Sequence, residues 1–162
     1  MKFNLWTNHG AMNSTPVFKA FEIGARKLGH DVVHNSTDGV DVIWSVLWHG
    51  RMSKNQEIWD KARLQNKPVI VIEVGNIKRG VYWKIGVNGV NRDAYFAPTG
   101  FDGARRFMLD LRVKPWRDNQ DGDILLVTQH DKSEQWCNMP SLSTWVYNTI
   151  EEIRGYTDRQ IT

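Results

Sequence analysis

Four polar stretches of this sequence hold residues whose types could do chemistry. They are "TNHGAMNST" with Asn8, His9 and Gly10, "HGRM" with His49 and Arg51, "EVGNIKRG" with Glu73 and Arg79, and "TQHDKSEQW" with Gln129, His130 and Lys132. An imidazole titrates near neutral pH, so His9 or His49 could take a proton from a hydroxyl as a general base. The plainer role for each is a loop histidine bonded to backbone. Glu73 interrupts the apolar run "VIVIEVG". A carboxylate there costs desolvation energy unless it is paired or holds ligand hydroxyls. Arg79 could pair with it, and pairing and function weigh equally for Glu73. His9, His49 and Glu73 are thus the candidate catalytic residues. Asn8, Gly10, Arg51, Arg79, Gln129, His130 and Lys132 are the candidate substrate-binding ones.

Other patterns argue against specific chemistries. The first loop has one glycine, Gly10, where a dinucleotide fingerprint needs three. "GNIKRGV" spaces two glycines like a phosphate loop but lacks the following Lys-Ser/Thr. "NSTP" can offer N–H groups to an anion, although an ordinary helix cap explains it better. His30 and His34 are four apart, but "HDVVH" reads as strand, where they stand roughly 13 Å apart, too far for one metal. A single cysteine, Cys137, excludes an intrachain disulfide and suits a reducing, cytoplasmic setting. No apolar stretch approaches the roughly 18 residues of a membrane span. The net charge of +3 is interspersed rather than clustered, which argues against a nucleic-acid partner. "LRVKPWRD" is too short to reverse that reading. Trp44, Trp59 and Trp145 fall on apolar faces and read as core, while Trp6, Trp48, Trp83 and Trp136 lie near loop mouths.

The elements that must position these residues alternate along the chain. "KFNLW", "HDVVHN", "GVDVIWSVLW" (39–48), "KPVIVIEVG" (67–75) and "DILLVTQ" (123–129) read as strands. Helical spacing predicts a helix starting near Ser14–Pro16 and ending before Gly29, and others over 54–66, about 100–111 and 141–154, the last with Ser141 as N-cap. Residues 76–98 are rich in Gly and aromatics and have room for one or two short strands. Strands alternating with helices predict an α/β fold, a Rossmann-like parallel sheet flanked by helices in three α/β/α layers. Ligands of such sheets bind at the carboxyl ends of the strands, which is where the four polar stretches fall. "RVKPWRDNQDGD" (112–123) is the linker candidate.

"GARKLGHDVV", "DVIWSV" and "PVIVIEVG" together resemble the N-terminal Rossmann-like domain of a GT-B glycosyltransferase. "RVKPWRDNQDGDILLVTQHDKSEQW" is similar to the crossing into the second domain of such enzymes. The resemblance implies an acceptor-type domain at 1–115, a linker at 116–122 and the start of a second Rossmann-like domain at 123–162. It implies transfer of a sugar from a nucleotide sugar to a hydroxyl acceptor, with no metal or resident cofactor. By position, Asn8, His9, Gly10, His49 and Glu73 would line the acceptor cleft, and Gln129 to Lys132 would face the donor phosphates. The remainder of the second domain would lie beyond Thr162, and this chain alone would turn over little. The apolar face of the 141–154 helix would then favour a homodimer. Two rival readings stay open. One is a complete flavodoxin-like or Rossmann-like domain, with 123–162 as its closing unit, that binds a nucleotide or sugar without catalysis. The other is a non-catalytic interaction module.

Overall fold

The computed structural model describes residues 1–91, 94–96, 112, 114–119 and 121–162. The chain forms two compact units. The larger comprises Met1–Phe96 with Lys132–Cys137, and the smaller comprises Ala97–Asp131 with Asn138–Thr162.

The larger unit is an α/β domain. Its elements are β1 (Lys2–Leu5), α1 (Thr15–Lys27), β2 (Asp31–His34), β3 (Val40–Trp44), α2 (Lys54–Leu64), β4 (Val69–Val74) and β5 (Trp83–Val87). The strands make one sheet in the order β2-β1-β3-β4-β5. β1 to β4 are parallel, as expected, and β5 runs antiparallel to β4. The reversal follows from the connection. Residues 75–82 are too few for the crossover of a dozen or more that a parallel return needs, and Gly75 N–H closes them on Tyr82 O at 3.1 Å.

Two apolar clusters hold the layers together. Phe18 and Ala25 of α1 pack with Phe3, Leu5, Val32, Val42, Trp44 and Ile72. Trp59 and Ala62 of α2 pack with Ile43, Val69 and Val71. Val42 and Trp44 alternate with Ile43 along β3, so the two helices cover opposite faces of the sheet. That makes three layers, α/β/α. Each fully buried Val, Leu or Ile contributes about 1.5–3 kcal/mol, which is why β3 and β4 are apolar on both faces. α1 contains Pro16 in its first turn, with no side-chain cap from Ser14, and ends just before Gly29, whose φ of 78° few other residues tolerate.

The apolar run 39–48 does not continue as one strand. β3 stops at Trp44 because Ser45 turns into the left-handed region, φ 64°. Residues 46–48 then meet a distant segment. Leu47 bridges Ser133, Trp48 N–H donates to Lys132 O at 3.1 Å, and Glu134 N–H donates to Val46 O at 3.0 Å.

In the smaller unit, α3 (Leu142–Arg154) begins as expected, with Ser141 Oγ accepting from Thr144 N–H at 3.2 Å. Its apolar face (Leu142, Trp145, Val146, Ile150, Ile153) is half-buried. The strand expected over 123–129 shrinks to a short parallel pairing outside the five-stranded sheet. Ile124 bridges Ile161, and Leu126 N–H donates to Thr162 O at 2.8 Å. The helix expected near 100–111 lies outside the described residues. Among the described residues, no helix is long and apolar enough to cross a membrane.

Candidate functional site

The chain leaves β1 for β2 at one edge, then crosses back to β3 on the other side of β1. The loops after β1 and β3 therefore diverge, which is the switch point where ligands of open α/β sheets bind. Asn55 spans that point. Its side chain is fully buried near the start of α2, and its Nδ2 donates to Trp44 O at 2.7 Å and His9 O at 3.2 Å. One amide thus ties the end of β3 to the loop after β1. Its Oδ1 has no partner among the described residues.

After β1, a 3-10 turn at Thr7–His9 carries Asn8 and His9. The His9 ring stacks on Trp6, centroids 5.8 Å apart and planes 17° apart. Trp6 is itself fixed through Nε1 to Asp41 Oδ1 at 2.7 Å. Asn8 N–H donates to Asn35 Oδ1 at 3.1 Å, joining this loop to the one after β2. Gly10 is buried, and a Cβ there would collide with Ser14 Oγ. After β3, His49 precedes a second 3-10 turn, Gly50–Met52, with Arg51 exposed on it. Lys132 joins this loop through its carbonyl bond to Trp48.

Glu73 lies one residue from the carboxyl end of β4 and is half-buried. Arg79 is not its partner among the described residues. Instead, Ser45 Oγ donates to Glu73 Oε2 at 2.5 Å and Val74 N–H donates to Oε1 at 2.7 Å. The donors lie at the ends of adjacent strands, Ser45 just past β3 and Val74 last in β4, so each carboxylate oxygen is bonded once without a distant cation. Arg79 lies exposed in the 75–82 loop. Ser45 Oγ also accepts from Leu47 N–H at 3.1 Å. Across the β4–β5 pair, Lys84 stands in register with Glu73. Lys84 Nζ donates to Asn91 Oδ1 at 3.1 Å, and Asn91 Nδ2 donates to Gln135 Oε1.

Asn8, His9, Gly10, His49, Arg51, Glu73 and Lys132 therefore belong to one edge of one domain. Gln129 and His130 belong to the smaller unit, where His130 Nδ1 lies 3.7 Å from Asp131 Oδ1. Ser45, Asn55, Lys84, Asn91 and Gln135 were not legible as site residues. Only Lys84 carried a signal, the alternation of "YWKIG" that sets its side chain on the same face as its cross-strand partner. Histidines 30 and 34 are engaged separately, His30 near the Met1 amine at 3.4 Å and His34 with Glu22 at 3.2 Å. A basic surface pocket lined by Arg63, Asn66, Lys67, Pro68 and Asn88 lies at the amino end of β4, the opposite edge of the sheet. Among the described residues no group of three His, Cys, Asp or Glu could hold a metal.

Comparison with known proteins finds no matching family model, curated protein or solved structure. The site's own geometry must carry the functional reading. A fixed carboxylate beside a hydroxyl, with an ammonium-bearing residue in register across the strand pair, can bind hydroxyl groups and accept a proton from one.

Proposed function

We propose that the larger unit binds a sugar or nucleotide sugar at the carboxyl edge of its sheet, as the acceptor-type half of a GT-B-like glycosyltransferase. The observation that carries this reading is Glu73. Its oxygens each accept one hydrogen bond from the protein, from Ser45 and Val74, and a carboxylate has about four lone-pair positions. The remaining positions suit the hydroxyls of a saccharide. In the transfer step, the acceptor hydroxyl gives its proton to Glu73. Its oxygen then attacks the anomeric carbon, and the bond from that carbon to the nucleoside diphosphate breaks. His9 and His49 are the other groups at this edge able to take the proton, and Asn8 and Arg51 supply further hydrogen-bond donors. The pairing of residues 124–126 with 160–162, rather than with the five-stranded sheet, also supports a chain built of two units.

Thermal unfolding of the full chain with UDP-glucose, GDP-mannose and the free sugars tests this reading. A bound ligand at 100 times its Kd adds about 2.7 kcal/mol to stability. We expect at least one of these compounds to raise Tm, and Glu73→Gln to remove most of that rise. No shift with any of these compounds overturns the proposal.

A further inference from the structure

Glu73 and Lys84 face each other across the β4–β5 pair, and both are half-buried. Opposite charges directly across an antiparallel pair attract, and each partly buried charge has a desolvation cost that such a partner offsets. Yet no ion pair joins these two among the described residues. Each is drawn to a neutral group instead, Glu73 to the Ser45 hydroxyl and Lys84 to the Asn91 amide oxygen.

Those neutral groups are themselves anchored. The carbonyls on both sides of Ser45 are held, Trp44 O by Asn55 at 2.7 Å and Val46 O by Ser133 Oγ at 3.2 Å and Glu134 N–H at 3.0 Å. Asn91 is bonded to Gln135 of the same 132–137 segment. An acceptor-only group and a donor-only group are thus kept near each other with part of their hydrogen-bonding capacity unspent.

We infer that Glu73 and Lys84 form a two-point site for a ligand carrying a hydroxyl beside an anionic group. Lys84 takes the anion, of phosphate or diphosphate chemistry, and Glu73 takes the hydroxyl. The inference rests on the sugar-binding reading for the identity of the hydroxyl, but its anion half stands apart. A lysine holds phosphate as a point charge with three donors, so geometry beyond proximity is not demanded of it.

Titration calorimetry on the full chain separates the two ideas, using inorganic pyrophosphate, UDP-glucose and free glucose as probes. Pyrophosphate and UDP-glucose should each bind about tenfold or more weaker to Lys84→Met than to the native chain. Lys84→Arg should keep binding within about threefold, which shows that charge and not packing is read. Free glucose should respond to Glu73→Gln and not to Lys84→Met. UDP-glucose binding that depends on Glu73 but ignores Lys84 overturns this inference and leaves the proposed function standing. Pyrophosphate binding that depends on Lys84, with no sugar bound, overturns the proposed function and the hydroxyl half of this inference and leaves its anion half standing. Pyrophosphate binding lost in Lys67→Met but kept in Lys84→Met assigns the anion to the basic pocket at the opposite edge and overturns the inference. No binding of any probe overturns both.

Discussion

Ser45 shows how one residue stores strain at a candidate site. A non-glycine residue in the left-handed region costs about 1–2 kcal/mol, and Ser45 adopts φ 64° while 3 % exposed. Its surroundings hold it there, since Ser45 N–H still donates to Ile72 O at 2.8 Å and both flanking carbonyls are bonded. Its hydroxyl serves two partners, Glu73 and Leu47 N–H. Ser45→Ala keeps the backbone cost and leaves those partners short of a bond, a loss of about 1–3 kcal/mol. Ser45→Gly loses the same bonds but relieves the backbone, so it should be about 1 kcal/mol more stable than the alanine variant. Urea unfolding of the two variants reads the difference directly. Equal midpoints would mean that the turn is not strained. Nothing in "WSVLW" announces this turn, because the backbone outlier comes from contacts with β4, α2 and residues 133–134, all remote in sequence. Glu73 was legible for the opposite reason: a carboxylate in an apolar run is a local anomaly.

At the scale of elements, α1 and β2 are clipped together by a small ionic cluster. Glu22 accepts from Arg26 at 2.9 Å and lies 3.2 Å from His34 Nε2. The hydrogen bond from Arg26 holds the Glu22 carboxyl below the usual carboxylate range. The charges of His34 and Arg26 act the same way, and partial burial opposes them. A carboxyl depressed in the folded state adds stability above its unfolded pKa and loses it as pH falls through the folded value. Glu22→Gln should therefore destabilise at pH 7, by less than about 1 kcal/mol for so exposed a cluster. The gap should close on acidification below the carboxylate range. Unfolding midpoints of both proteins between pH 2.5 and 7 check this, and a gap that widens in acid would contradict it. The main elements of the larger unit were legible because each buries a regular stripe: period two with apolar runs for β1 to β4, helical spacing for α1 and α2. The direction of β5 was not, because it depends on the length of a glycine-rich connection rather than on any periodicity. The extent of 123–129 as a strand was overread for a related reason. Its apolar residues satisfy a pairing only three residues deep, from Ile124 to Leu126.

At the scale of the molecule, the two units differ in how they bury their chain. The larger one has strand residues with no exposed surface at all, Val42, Ile43, Val69, Val71 and Ile72 among them. In the smaller one no described residue is fully buried; Leu125 and Val127 are 74 % and 72 % exposed, and α3 is only half-covered on its apolar face. Hydrophobic burial is what makes backbone hydrogen bonds slow to open, so local stability should follow this contrast. Amides of β3 and β4 should exchange only through global unfolding of the larger unit. Amides of 124–126 and 160–162, which close a short pairing at the chain's last residue, should exchange through local opening, at least about tenfold faster. The residues 132–137 make a sharper test, because they lie between two segments of the smaller unit yet bond to the β3 exit. Glu134 N–H, held by Val46 O, should be protected like the larger unit, while the amides of its neighbours 124–126 exchange early. Ser133→Ala, which removes the second bond to Val46 O, should speed exchange at Glu134 and Trp48 without changing that of Val71. Hydrogen exchange read by mass spectrometry or NMR resolves all of these sites. Uniform protection across 124–137 would mean that the chain opens as one cooperative body, and that the 132–137 segment is not a separable part of the larger unit's edge.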